Sequence, residues 1–241
     1  MPNYPYMNFG CTSFSFEIEE RYNNWYNEVY SPEIFMKAEG VRERRRYKEL
    51  ESIGKNAQYI SIAYNENERH LRNNLASEGR RIYDADRDKT FAGKFELIWR
   101  AQYELIKYVV KDPSIKVKPH PEGTVLHIEA YKMPPEDEER YITWLSRFGY
   151  DSYLQLLMKS TGLIEYSHHK LVPIKDQKAT APIKDPDNPR YLSLFHFHDA
   201  EDYHAFIDSL EFTLFRERIK SGFQAEIRWS GGYQIVKIWR K

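Results

Sequence analysis

The feature that most constrains this chain is an internal repeat. Glu20-Arg21-Tyr22-Asn23-Asn24-Trp25 returns as Glu139-Arg140-Tyr141-Ile142-Thr143-Trp144, with Glu, Arg, Tyr and Trp all displaced by 119 positions. Further landmarks recur in the same order. Gly40-Val41-x-Glu43 pairs with Gly162-Leu163-x-Glu165, and Tyr59-Ile60-Ser61-Ile62 with Tyr191-Leu192-Ser193-Leu194. Ser77 pairs with Ser209, and Trp99-x3-Tyr103 with Trp229-x3-Tyr233. A chain of 241 residues written twice over holds two copies of one unit, each large enough to bury a core.

Local patterns give the unit its elements. Phe14 to Ile18 alternates as a short strand, and Glu19 to Tyr30 carries Tyr22, Trp25, Tyr26 and Val29 as a helical stripe. Ser31-Pro32-Glu33 reads as a fresh helix start, with Ser as N-cap and Pro in the first turn, and Gly40 as the stop. Strands follow over 41–47 and 58–64, then a helix over 65–77. The stretch 95–110 fits a helix stripe and a strand face equally. Its second copy contains Ser230-Gly231-Gly232, which disfavours a helix interior, so both copies read as bent strands. The second half gives a strand over 125–131, a helix over 135–158 bent near Gly149, strands over 163–171 and 191–198, and a helix over 200–210. Each copy is thus β-α-β-β-α-β, a ferredoxin-like order of class α+β. The predicted domains are 1–110 and 124–241, joined by a proline-rich linker over 111–123. A longer irregular stretch over 173–189 reads as a lid or as a tolerated surface insertion.

This pattern, with Trp25-Tyr26-Asn27-Glu28-Val29-Tyr30-Ser31-Pro32 on its first helix, resembles the dimeric α+β barrel superfamily, in particular its EthD-type and antibiotic-monooxygenase-type members. The resemblance implies two four-stranded sheets closing a barrel, here supplied by one chain where relatives use a homodimer. It also implies a small-molecule enzyme without a tightly bound organic cofactor, acting on a hydrophobic, aromatic or polyketide-like substrate. Cyclisation, isomerisation, dehydration and cofactor-free oxygenation all fit, and the rival is a non-catalytic ligand-binding or stress-response protein. Where many relatives carry a histidine before x-Pro, this chain has Tyr30. A phenol can donate a proton but is a poor base at neutral pH, so the family mechanism does not carry over directly.

Six of eight histidines fall in the second copy. His127, His169 and His196 are the candidate acid-base or orienting residues, with Tyr30 or Tyr64 as phenolic donor. They read equally as histidines bonded within the sheet, and a haem or divalent-metal site is the further alternative, with no metal ligand set assigned. The pocket is expected mainly in the second half. Trp25, Trp144, Tyr64 and Arg44 are candidate substrate-binding residues, the tryptophans reading first as core. The run Arg42-Glu43-Arg44-Arg45-Arg46 places Arg42, Arg44 and Arg46 on one strand face, for carboxylate pairing or for a carboxylate or phosphate ligand.

The 36 basic and 36 acidic residues argue against a general polyanion binder. The strands also lack the glycine-aromatic signature of RNA-recognition domains, so no nucleic-acid partner is expected. Phosphate loops, Gly-x-Ser-x-Gly and His-Glu-x-x-His are missing from the sequence. One cysteine, no visible signal peptide and no long apolar run lead to the expectation of a soluble, cytoplasmic protein, a monomer with a pseudo-dimeric barrel or a homodimer.

Overall fold

The structure, a computed structural model, describes residues 4–50, 57–112, 123–173 and 188–241. Most of the expected linker and of the expected lid lies outside these residues. Eight strands follow the order β1-β3-β2-β8-β5-β7-β6-β4 in a closed barrel. They are β1 (Tyr6–Phe14), β2 (Val41–Glu49), β3 (Tyr59–Asn65), β4 (Phe95–Val110), β5 (Val125–Lys132), β6 (Leu163–Leu171), β7 (Tyr191–Phe197) and β8 (Glu226–Arg240). Seven α-helices are described: α1 (Glu19–Trp25), α2 (Glu68–Ala76), α3 (Glu78–Thr90), α4 (Pro135–Ser146), α5 (Phe148–Ser160), α6 (Ala200–Ile207) and α7 (Leu210–Phe223). The chain forms two compact units. One comprises Met1–Glu104, Leu171–Asn188 and Ile235–Lys241, the other Leu105–Lys170 and Pro189–Gln234.

The repeat holds at the level of register. In the first unit β1 pairs antiparallel with β3, Gly10 lying opposite Ser61. In the second, β5 pairs antiparallel with β7, Glu129 lying opposite Ser193. Ser61 and Ser193 are the aligned serines of the repeat, so Asn8, Gly10 and Thr12 correspond to His127, Glu129 and Tyr131. The repeated Ser77 and Ser209 turn out to be N-caps, accepting from the amides of Arg80 and Phe212 and starting α3 and α7; such a cap contributes about 1 kcal/mol. The repeated Gly40 and Gly162 have a steric cause. A Cβ on Gly40 would lie 2.0 Å from His70, and one on Gly162 2.0 Å from Asp202, so helices α2 and α6 close in where a side chain would stand.

Several local expectations are corrected. Residues 14–18 are not a strand: β1 runs over Tyr6–Phe14 and a 3-10 turn follows at Phe16–Ile18. Ser31-Pro32 does not restart a helix. The chain continues from α1 into a π-helical run, Tyr26–Met36, that passes through Pro32, which has no backbone N–H to give to that ladder. Helices α3 and α7 were not anticipated. In the first unit a cluster built on Phe14, Tyr22, Tyr26, Tyr30, Phe35 and Tyr59 packs the helical layer against the strands.

Candidate functional site

Alternation along β1 sends Met7, Phe9 and Cys11 to one face and Asn8, Gly10 and Thr12 to the other. The second set meets Tyr22, Tyr26 and Tyr30 of the helical layer, and Arg80 and Arg87 of α3, around a cavity of about 40 Å3. That volume holds roughly three water molecules. Arg44, Ser61, Leu97, Arg100 and Phe35 complete the wall. No atom lies within 4 Å of a Cβ built on Gly10, which therefore faces open space.

The corresponding place in the second unit is filled. His127 replaces Asn8, Glu129 replaces Gly10 and Tyr131 replaces Thr12. The β3 residue Ala63, opposite Asn8, has Phe195 as its counterpart opposite His127. The His127 ring lies 5.3 to 6.1 Å from the rings of Phe195, Tyr203, Phe206 and Phe212. The inner stripe of α7 is Phe212, Phe215 and Ile219, whereas α3 buries Arg80, Asp84 and Arg87. One copy of the unit is therefore packed with rings around a His127–Glu129–Arg216 cluster, and the other carries guanidinium groups around a void.

The electrostatics of that void are lopsided. Arg44, Arg80, Arg87 and Arg100 all line it, each 7% exposed or less. Asp84 is the carboxylate they share. Its Oδ1 accepts from Tyr30 Oη at 2.9 Å and Arg87 Nη1 at 3.1 Å, and its Oδ2 lies 3.4 Å from Arg100 Nη1 and 3.6 Å from Arg80 Nε. Arg87 also grips Asp88. Burial lowers the Arg87 pKa, but Asp84 and its neighbours outweigh this and hold it above the ordinary guanidinium value. Arg44 has no carboxylate partner among the described residues. Its Nη2 donates to Tyr26 Oη, and its guanidinium lies 3.3 Å from the Phe35 ring centroid. Burial, then the charges of Arg80 and Arg46, push its pKa well below the ordinary range. Nε and Nη1 of both Arg44 and Arg80 are buried without a hydrogen-bond partner among the described residues. The Tyr30 phenol is pushed up by burial and then by Asp84, so it stays protonated and acts as a donor.

Of the residues singled out from sequence, Tyr30 and Arg44 line this cavity. Trp25 stacks beside it on Tyr22 and Tyr30 and donates from Nε1 to Asp86 at 3.1 Å. Tyr64 lies under Arg45, and Trp144 packs on Tyr141 and Phe223 in the second unit. The three histidines do not share a face. His127 is on the helix-covered side and bonds Glu129 at 3.0 Å, while His169 and His196 alternate to the other side. His169 bonds Ser167 at 3.0 Å, and burial lowers its pKa to about 3. His196 Nδ1 lies 3.5 Å from Glu165. This cavity lies in the first unit, whereas the sequence reading places the pocket mainly in the second half. Sequence reasoning missed Arg80, Arg87 and Arg100. The one available signal was that the run Asn8-x-Gly10-x-Thr12 is small where its copy is His127-x-Glu129-x-Tyr131.

Among the described residues the cavity wall carries no histidine or cysteine, the usual ligands of soft metals. Among the described residues no group of three His, Cys, Asp or Glu side chains is placed to hold a metal ion. Among them, too, no helix is long and apolar enough to cross a membrane.

No family model and no curated protein matches the sequence. Solved structures do match over nearly the whole chain. A proposed monooxygenase from Fusobacterium nucleatum aligns at 11% identity with a TM-score of 0.63, covering 100% of this chain and 96% of its own. An anthrone oxidase-like protein gives 11% and 0.66, with coverage of 99% and 93%. A proposed chlorite dismutase gives 9% and 0.57, with coverage of 97% and 95%. At these identities the likeness is one of fold: an α+β barrel.

Proposed function

We propose that this chain is a small-molecule enzyme built as a single-chain α+β barrel of the EthD and antibiotic-monooxygenase type, and that its substrate reaches into the cavity of the first unit. The observation that carries the proposal is the contrast between the copies: rings fill one, and arginines and phenols surround a void in the other. Natural interiors are close-packed, so a void lined by buried charge needs a use to offset its cost. The walls suit an aromatic or polyketide-like compound, with Phe35, Tyr22 and Tyr26 as flat apolar surfaces. The reactions anticipated for such a substrate share an enolate or phenolate that gains negative charge on oxygen. Fixed guanidinium groups in a dry site stabilise that charge without reorganising, and Tyr30 supplies a neutral hydrogen-bond donor beside them. This assigns the working roles to Tyr30 and Arg44 and leaves His127, His169 and His196 as packing and hydrogen-bonding residues. Similarity in fold to monooxygenase-like and oxidase-like proteins supports the class of activity. A cytoplasmic setting is part of the proposal.

Gly10→Val tests it. Valine suits a strand, and its methyl groups enter the void rather than the packed face. The expected result is a folded protein whose turnover of small aromatic acids and phenols, screened by mass spectrometry of substrate and product, falls roughly a hundredfold. Unchanged turnover in this variant would move the site elsewhere. Ligand binding without turnover in the parent protein would favour the non-catalytic binding reading.

A further inference from the structure

We infer that the cavity holds an oxyanionic group of its ligand, a carboxylate or a phosphate, between Arg44 and Arg80; this rests on the reading of the cavity as the substrate site. Four guanidinium groups line the void and the nearest carboxylates, Asp84 and Asp88, are already engaged. Arg87 and Arg100 spend their contacts on Asp84, and Arg87 also on Asp88. Arg44 and Arg80 are each 3% exposed and keep buried Nε and Nη1 groups without a hydrogen-bond acceptor among the described residues. A buried guanidinium whose N–H groups lack acceptors is costly, and two of them face one small space, Arg44 with no carboxylate among the described residues and Arg80 sharing Asp84 at 3.6 Å with two other arginines. An oxyanion there accepts from both planar forks and cancels the surplus charge. The cavity's size admits such a headgroup, while the flat rings of Phe35, Tyr26 and Tyr30 border whatever it is attached to.

The same contrast between the copies argues against a purely structural cause for Arg80. At the position of Asp84, α7 carries Arg216, paired with Glu129 at 3.3 Å, but where α3 carries Arg80 and Arg87 it carries Phe212 and Ile219. The fold therefore does not require charge at these positions.

The test uses the full-length protein and four probes at matched ionic strength: acetate, benzoate, inorganic phosphate and the neutral benzamide, read by calorimetric titration and by Tm. Saturable binding of acetate, benzoate or phosphate, with benzamide silent, is the expected result. Acetate or benzoate alone identifies a carboxylate, and phosphate alone a phosphate group. Arg44→Met and Arg80→Met should each weaken that binding about tenfold or more, the loss of charged hydrogen bonds. Arg42→Met, which removes an exposed arginine paired with Glu66, should leave it unchanged. Should a methionine variant not fold, Arg44→Lys and Arg80→Lys keep the charge and lose the fork, with weakened binding again expected. Benzamide binding as well as benzoate, and being lost in Gly10→Val, would overturn the oxyanion while keeping the cavity as the site. Failure of every probe, or binding indifferent to Gly10→Val and to both arginines, would overturn both.

Discussion

Asp84→Asn lowers the stability of the ligand-free protein by about 3–5 kcal/mol, the usual consequence of removing one partner from a buried ionic cluster. Asp84 is the carboxylate that Arg80, Arg87 and Arg100 share, and its side chain is 6% exposed. Asparagine keeps the shape and one acceptor oxygen, so the Tyr30 hydrogen bond can survive while the charge is lost. Three buried guanidinium groups, with Arg44 nearby, then lose the carboxylate they share, while Asp88 still pairs with Arg87. For a chain of this length the change in Tm is on the order of 10 °C. The variant also gives a second readout. If the surplus positive charge is what destabilises it, phosphate or benzoate should recover more Tm in Asp84→Asn than in the parent. A Tm within about 2 °C of the parent would show that water or relaxation already screens the cluster. Recovery equal in the two proteins would show that the ions act at the surface.

How far the sequence carried the architecture depends on what kind of signal each element left. The repeat was legible because Tyr22 and Tyr141, Trp99 and Trp229, and Ser77 and Ser209 hold equivalent structural places, and packing demands of one fold recur when the fold is used twice. The two long strands β4 and β8 were legible for the same reason, since Gly231 and Gly232 in one copy decide the reading of the other. Helix α3 left no such mark. Its inner stripe is Arg80, Asp84 and Arg87, and a charged stripe at helical spacing normally faces water. Its copy in α7, with Phe212, Phe215 and Ile219, carries the apolar stripe that α3 lacks, but the two align only once Ser77 and Ser209 are read as caps. The start of β1 was missed because Asn8, Gly10 and Thr12 dilute its apolar alternation, and those are the residues that open the cavity. The site was illegible where the chain departs from the rules of a well-packed core, as functional sites do. The histidines drew attention because imidazole is a reactive group. In the second unit they lie among rings or bond to hydroxyls and carboxylates, and which face each one takes follows from a register that spacing alone does not give.

Two buried histidines of the second unit make the folded protein sensitive to mild acid. His168 is fully buried, within 3.2 Å of Tyr131 Oη, Tyr141 Oη and Ser193 Oγ, with Tyr166 Oη reaching the same serine. Burial, then the neighbouring charge of His169, pushes its pKa well below the ordinary value of 6.5. Burial likewise lowers His169 to about 3, against a smaller opposing pull from Glu165. Both are therefore neutral in the folded protein at pH values where the unfolded chain protonates them. The unfolded state then binds more protons, so stability rises with pH across that window. The contribution is complete above pH 6.5 and is lost as pH falls from 6.5 toward the folded values. At pH 5 His169 withdraws about 2 kcal/mol relative to the plateau, and His168 adds a loss of the same sign. Urea midpoints measured from pH 8 to pH 5 should stay level above about 7 and fall steeply below about 6.5, ahead of the range in which carboxylates titrate. His168→Gln/His169→Gln should be less stable than the parent at pH 8, because the tyrosine and serine contacts are disturbed, yet should lose most of the slope between pH 6.5 and 5. An unaltered slope in that variant would assign the acid sensitivity to other groups and would mean that the two imidazoles are open to water in the folded state.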